Sequence, residues 1–305
     1  MHLARLDFFS RALSEVNMIV FVVPLKSAKV SASWKTVSQL FDRCVRSICN
    51  QTSIDFRVIV VCHEIPEIQF QHPNLAYIQV DFPAPNRNSD IKEKRQDRKR
   101  KAFTGLVAAQ EFEPSHVMVV DADDCVSQDL AEFVNHRPDS HGWFFGQGYE
   151  YKDGSDRIFL RKEKFHLFCG SSHILKYDLI DLPEDPRNDD LAAYSTNHKT
   201  MKKMMSDKGY HLELLPFPGA VYVIDNGENL YFRGNRPLQD WFDYKELISR
   251  IKKLYKTFTS ERLSETVGLK FGLSYDSKVD KPEIQERFNL SSLPLEVRHS
   301  IPTRL

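Results

Sequence analysis

The chain has 305 residues, 41% hydrophobic and 11% aromatic, with 42 basic side chains against 42 acidic ones. The composition excludes a disordered chain and leaves room for a sizeable core, and the charge balance removes any global drive toward nucleic acid. Five scattered cysteines without CxxC spacing argue for reduced thiols in a cytosolic setting and against structural zinc.

Residues 1–16 read as a short amphipathic helix or leader, to which no function is assigned. Arg5, Asp7, Arg11 and Glu15 interrupt any signal-peptide core, and no apolar run reaches membrane-spanning length. The expected address is the cytoplasm, with peripheral contact at the inner membrane face left open. Residues 18–25 (MIVFVVPL) predict a buried strand closed by Pro24, and residues 26–33 a small polar loop. Residues 34–49 set Val37, Leu40, Phe41, Cys44, Val45 and Ile48 on one helical face. Residues 56–62 and 75–80 predict two further strands. This β-α-β order implies a parallel, doubly wound sheet.

Residues 86–101 are the most basic stretch, with Arg87, Lys92, Lys94, Arg95, Arg98, Lys99, Arg100 and Lys101 interleaved with Asp90, Glu93 and Asp97. It reads either as a solvated loop and helix start or as a clamp for a diphosphate. In the second reading Arg98 and Lys101 open the helix 102–110. No aromatic residue interleaves with these charges, which disfavours nucleic acid as a partner.

Val117-Met118-Val119-Val120 then predicts a short buried strand that runs into Asp121-Ala122-Asp123-Asp124. Alternation along an extended chain puts Asp121 and Asp123 on one face at the strand's C-terminal edge, where open α/β sheets bind ligands. Two carboxylates there repel each other unless a cation lies between them. A hard divalent ion that also grips diphosphate oxygens is the economical solution. The plainer reading is a helix cap with first-turn acids ahead of Leu130.

Beyond this point the pattern predicts a helix over 128–135 and a strand over 143–151. A hairpin turn at 152–155 returns through 157–161. An apolar segment spans 165–172, and a helix runs from Asn197-His198 to Asp207, closed by Gly209. Strands follow at 211–215 and 220–224, with a turn at Asp225-Asn226-Gly227. A composition shift near Pro237 divides residues 1–236 from a C-terminal helical extension, 237–305. Its stretch 241–258 is amphipathic and basic, suited to packing on the main domain or to an anionic membrane.

The order of these elements resembles the GT-A fold glycosyltransferases, in particular the bacterial family 2-like enzymes. The first strand ends at Pro24, and Ser47-Ile48-Cys49-Asn50-Gln51-Thr52 is similar to the family's SilnQt pattern ahead of its second strand. Asp121-Ala122-Asp123 looks like the DxD metal motif. Gly170-Ser171-Ser172 with Ile174-Leu175-Lys176 is similar to the strand bordering the acceptor site. The likeness covers about residues 17–225.

The resemblance implies an α/β fold: a Rossmann-like, mostly parallel central sheet in an α/β/α sandwich. It implies metal-dependent sugar transfer from a nucleoside-diphosphate sugar, with a UDP-sugar favoured, to a glycan, lipid-linked or small-molecule acceptor. The cofactor would be Mn2+ or Mg2+. Pro24, Arg98, Lys101, Asp121, Ala122 and Asp123 form the implied donor-binding set. Asp121 and Asp123 would hold the metal, and Asp225 lies near the place of a third ligand that is usually His. Inverting members carry a carboxylate base at the start of the helix that here begins Asn197-His198. His198 stands in its place, and a neutral imidazole can deprotonate a hydroxyl at pH 7. Metal ligation, acceptor binding and helix capping stay open for it. Asp189 and Asp190 are the rival carboxylates, with a solvated loop as their plainer reading.

Three other readings compete. A haloacid dehalogenase-type phosphohydrolase also wants Asp-x-Asp after a strand, but on the first strand and without Cys125 two positions on. A nucleotidyltransferase would want glycines in 26–33, where there are none. A non-catalytic carbohydrate-binding relic would use the aspartates only as caps.

Overall fold

The computed structural model describes residues 17–187, 190–228, 256 and 259–273. The expectations for residues 1–16, Asp189, Pro237, nearly all of 241–258 and the tail past Tyr275 lie outside the described residues. The chain divides into compact units 1–275 and 276–305, the second wholly outside them.

The centre of the fold is β1 (Ile19–Pro24), every residue of which is buried. Its side chains alternate between two cores. Ile19, Phe21 and Val23 pack with Phe41, Cys44, Val45 and Ile48 of α1 (Trp34–Cys49), whereas Val20 and Val22 pack with Phe103 and Leu106 of α2 (Ile91–Ala108). A strand covered on both faces needs apolar residues at every position, which explains the unbroken IVFVV run. Each such side chain contributes about 1.5–3 kcal/mol on burial.

On either side of β1 lie β2 (Phe56–Cys62) and β4 (His116–Val119), both parallel to it, and β3 (Leu75–Gln79) is parallel to β2. The sheet continues from β4 through β9 (His173–Lys176) and β6 (Gly142–Phe144), both joined antiparallel, to β10 (Glu213–Leu214). The result is a mixed α/β architecture around a largely parallel central sheet. Leu130, Ala131 and Val134 of α3 (Leu130–Asn135) join the α1 side. α4 (His198–Asp207) packs Met201 and Met205 against Phe144 and Leu175.

A second, five-stranded sheet has the order β12–β8–β7–β11–β5, formed by Glu261–Arg262, Arg157–Arg161, Gly148–Lys152, Ala220–Ile224 and Cys125–Val126. Phe271 of α5 (Glu265–Phe271) and Leu273 cover its core with Cys125, Tyr151, Val221 and Val223. This part of the expected extension is therefore built into the main body, and the compact unit runs past residue 237. Among the described residues no helix is long and apolar enough to cross a membrane.

Two expected elements differ. The single strand over 143–151 is two strands in different sheets, β6 and β7, because residues 145–147 cross between them and Phe145 N–H bonds to Ser172 O at 2.9 Å. The helix expected from residue 102 begins at Ile91. Asp90 caps it by accepting from Glu93 N–H at 2.8 Å, so most of the basic stretch is helical rather than loop.

Candidate functional site

β4 delivers the chain to the C-terminal edge of the central sheet. Val120 N–H still bonds to Val22 O at 2.9 Å, and then the strand stops. Asp124 N–H closes back on Asp121 O at 3.0 Å, so residues 121–124 form a turn. This corrects the expected strand alternation: the carboxylates come from a turn at the sheet edge, and each has its own environment.

Asp121 Oδ1 receives Arg98 Nε at 2.6 Å and Nη2 at 2.5 Å, so α2 aims its guanidinium at the turn. Asp121 N–H donates to Ser171 Oγ at 2.8 Å. Asp123 Oδ2 accepts from Asn226 Nδ2 at 2.8 Å, and burial, then the charge of Asp121, raise its pKa. Asp124 is 1% exposed and takes Ser171 Oγ–H at 2.7 Å, Val223 N–H at 3.1 Å and Cys169 Sγ–H at 3.3 Å. Burial, then Asp123 and Asp121, push its pKa well up. Asp124 braces the turn between β11 and the 169–172 loop, whereas Asp121 and Asp123 are half-buried.

The Asn50-Gln51-Thr52 segment supports the turn from behind. Gln51 Nε2 donates to Ser127 O at 3.0 Å, its Oε1 accepts from Ala131 N–H at 2.8 Å, and Thr52 N–H bonds to Gln128 O at 2.9 Å. These bonds fix the exit of the acidic turn to the end of α1.

His198 opens α4 behind the Asn197 cap. Its Nε2 is buried without a hydrogen-bond partner among the described residues, and burial lowers its pKa. The field of Asp121 acts against that lowering and the field of Arg98 with it, so the imidazole lies within electrostatic reach of the acidic turn.

Other expected site residues do not join Asp121, Asp123 and Arg98. Lys101 is fully buried, and its Nζ bonds to Leu25 O and Asp97 Oδ2, both at 2.8 Å. It fastens α2 to the end of β1 and is no clamp for a diphosphate; its place one turn beyond Asp97 turns it inward. Pro24 is a buried residue of β1 in register with Val61, and Ala122 packs at the edge of the α1-side core. Asp190 is exposed and caps a short helical turn by accepting from Ala192 N–H at 2.9 Å. Asp225 has a left-handed backbone, φ 56°, and the next residue, Asn226, is the one that reaches Asp123.

The sequence also concealed the loop after β1. Its amides are taken by two carboxylates from distant segments. Glu64 accepts from Ser27 Oγ–H at 2.9 Å and Ala28 N–H at 3.2 Å. Glu228 accepts from Lys26 Nζ at 2.5 Å, Ala32 N–H at 3.2 Å and Ser33 N–H at 2.6 Å. No local pattern announces such contacts.

Among the described residues no group of three His, Cys, Asp or Glu side chains converges to hold a metal. Asp121 and Asp123 remain a pair of hard oxygen donors, and burial, then the charge of Asp121, raises Asp123. Two carboxylates fit Mg2+ or Mn2+, ions commonly held by one or two protein carboxylates with substrate phosphates and water completing the shell.

No protein-family model and no curated protein matches the chain. Solved structures do. The crystal structure of S. aureus TarS 1–349 is 14% identical with a TM-score of 0.42, over 68% of this chain and 60% of that one. The same fragment in complex with UDP gives 0.41 over the same shares, and a further S. aureus TarS structure gives 0.40 over 37% of that chain. The chain thus matches less than two thirds of the length of these structures, and a likeness at this level says nothing about substrate.

Proposed function

We propose that the chain is a GT-A type glycosyltransferase that moves a sugar from a nucleoside-diphosphate sugar, favoured as a UDP-sugar, to a hydroxyl of a glycan, lipid-linked or small-molecule acceptor. The observation that carries this reading is the Arg98–Asp121 ion pair beside Asp123 in the acidic turn at the C-terminal edge of the central sheet, with His198 within electrostatic reach of Asp121. Binding crevices of open α/β sheets lie at that edge.

In this reading the acceptor oxygen bonds to the anomeric carbon, and the bond from that carbon to the diphosphate oxygen breaks. The electron pair leaves with the nucleoside diphosphate. His198 takes the acceptor proton: burial keeps the imidazole neutral at pH 7, and the nearby Asp121 carboxylate stabilises the imidazolium that forms. Arg98, held on Asp121, presents a fixed positive charge toward the phosphates. Asp121 and Asp123 would hold a Mn2+ or Mg2+ ion, which would supply Lewis acidity toward the leaving diphosphate.

Calorimetric titration with UDP and with GDP, in the presence of Mn2+, tests the reading on the wild type and on Asp123→Ala. UDP binding that requires Mn2+ and disappears in Asp123→Ala supports it. GDP binding in place of UDP moves the donor class, and no binding of either nucleotide overturns the reading.

A further inference from the structure

The turn after β11 is tied to the loop after β1 by one carboxylate that the proposed reaction does not use. The Glu228 side chain is 5% exposed, and its two oxygens take the Lys26 ammonium and the amides of Ala32 and Ser33. Ser33 is the N-cap of α1, a helix of 16 residues, so the carboxylate also sits at the positive end of that helix. The Lys26 ammonium reaches the Glu228 backbone carbonyl as well, at 2.8 Å.

The same residue holds Asn226. Glu228 N–H donates to Asn226 Oδ1 at 2.9 Å, and this leaves the carboxamide with its Nδ2 turned to Asp123 Oδ2 at 2.8 Å. The backbone N–H of Glu228 thus anchors the oxygen side of the planar carboxamide, and the NH2 on its other side donates to Asp123. The chain of contacts therefore runs from α1 and Lys26 through Glu228 and Asn226 to the candidate ligand Asp123.

We propose that Glu228 is a positioning residue: seated on Lys26 and the α1 N-terminus, it fixes the Asn226 carboxamide that orients the Asp123 carboxylate. The consequence for metal and nucleotide binding rests on the function proposed above, whereas the positioning itself does not. Residues that orient a ligand from behind typically change metal affinity by 10- to 100-fold when altered.

Two readouts on the full chain test this. The first is the side-chain amide signal of Asn226 by NMR, in wild type and in Glu228→Gln. The expected result is a slowly exchanging pair in the wild type that becomes fast-exchanging in the variant, with the global fold unchanged in the remaining spectrum. The second is calorimetry with Mn2+ and UDP. Affinity is expected to fall by roughly 10-fold or more in Glu228→Gln and in Asn226→Ala, and the double variant should be no weaker than the worse single one. A brace of the fold alone would lower the melting temperature and leave that affinity in place.

An Asn226 signal unchanged in Glu228→Gln overturns the proposal, whatever the calorimetry shows. If Glu228→Gln fails to fold, Lys26→Met carries the same test by removing the partner of Glu228. A wild type that binds no UDP with Mn2+, while its Asn226 signal collapses in Glu228→Gln, overturns the transferase reading and leaves the positioning role supported.

Discussion

Gly170 lies so close to Asp121 that a β-carbon at position 170 would stand 2.1 Å from Asp121 Oδ2. That oxygen belongs to the carboxylate that Arg98 grips, and the guanidinium itself would be 3.5 Å away. The 169–172 loop thus forms the wall against which the acidic turn is shaped. Gly170→Ala should push Asp121 off Arg98 while leaving the buried Asp124 brace in place. The expected outcome is a loss of Mn2+-dependent UDP affinity of roughly 10- to 100-fold with a melting curve close to that of the wild type. Unchanged affinity would mean that Asp121 does not contribute in the position seen.

Arg98 and Lys101 lie one helical turn apart and should separate cleanly in experiment. Arg98→Ala removes a half-buried charge at the sheet edge and is expected to weaken nucleotide binding with a smaller effect on urea unfolding than the loss of the fully buried Lys101. Lys101→Met leaves the 8% exposed Asp97 without its ammonium partner. Breaking a buried ion pair by removing one partner costs about 3–5 kcal/mol, which the urea midpoint should report. The reverse pattern would restore Lys101 to the binding site.

The pH dependence of turnover tests His198. Burial lowers its pKa, so the neutral base persists to a pH below the ordinary imidazole value. The acid limb of kcat/KM should therefore fall below about pH 6.5. His198→Ala should lose that limb along with about 100- to 10,000-fold of kcat. Full turnover in His198→Ala would transfer the base role to another group.

Stability should have an acid dependence of its own. Burial pushes His116 down to about 4 and His173 down to about 3. Both are held neutral in the fold, whereas in the unfolded chain they protonate near pH 6.5, so the unfolded state binds more protons below that pH. Their contribution is complete above pH 6.5 and declines as pH falls, until the folded-state values are reached. Each should cost about 2 kcal/mol by pH 5. The pH 7 to pH 5 fall in unfolding free energy, read from urea titrations, should be smaller in His116→Gln than in the wild type by about 2 kcal/mol, the share of that one imidazole.

What could be read from the chain alone followed from local periodicity. β1, α1 and β2 were visible because burial on one or both faces writes itself into consecutive residues, as in Phe56–Cys62. The acidic turn was visible as a cluster of charges after an apolar run. Lys101 shows where that logic stops: charge normally means exposure, yet here a lysine and an aspartate satisfy each other inside the core. Asn226 reads in the sequence only as a turn residue, and no local pattern gives Glu228 a role, because their partners are fixed by tertiary proximity rather than spacing. The split of residues 142–152 between two sheets has the same origin. Phe145 continues an apolar, aromatic stretch, and only its bond to Ser172 O reveals the crossing.

The pairing of β5 with β11 sets a timetable for folding. Cys125 lies opposite Val221, and Asp124 is held by Val223 N–H, so the acidic turn is completed by residues almost a hundred positions downstream. A chain emerging from the ribosome carries Asp121, Asp123 and Asp124 long before it carries β11. The central strands β1, β2 and β4 can assemble early from nearer neighbours, while the carboxylates wait for the slowest loop to close. Competence to bind a ligand should therefore be acquired late, after most of the core is in place, and a nascent or truncated chain ending before Ala220 would present its acids without the geometry that gives them a use.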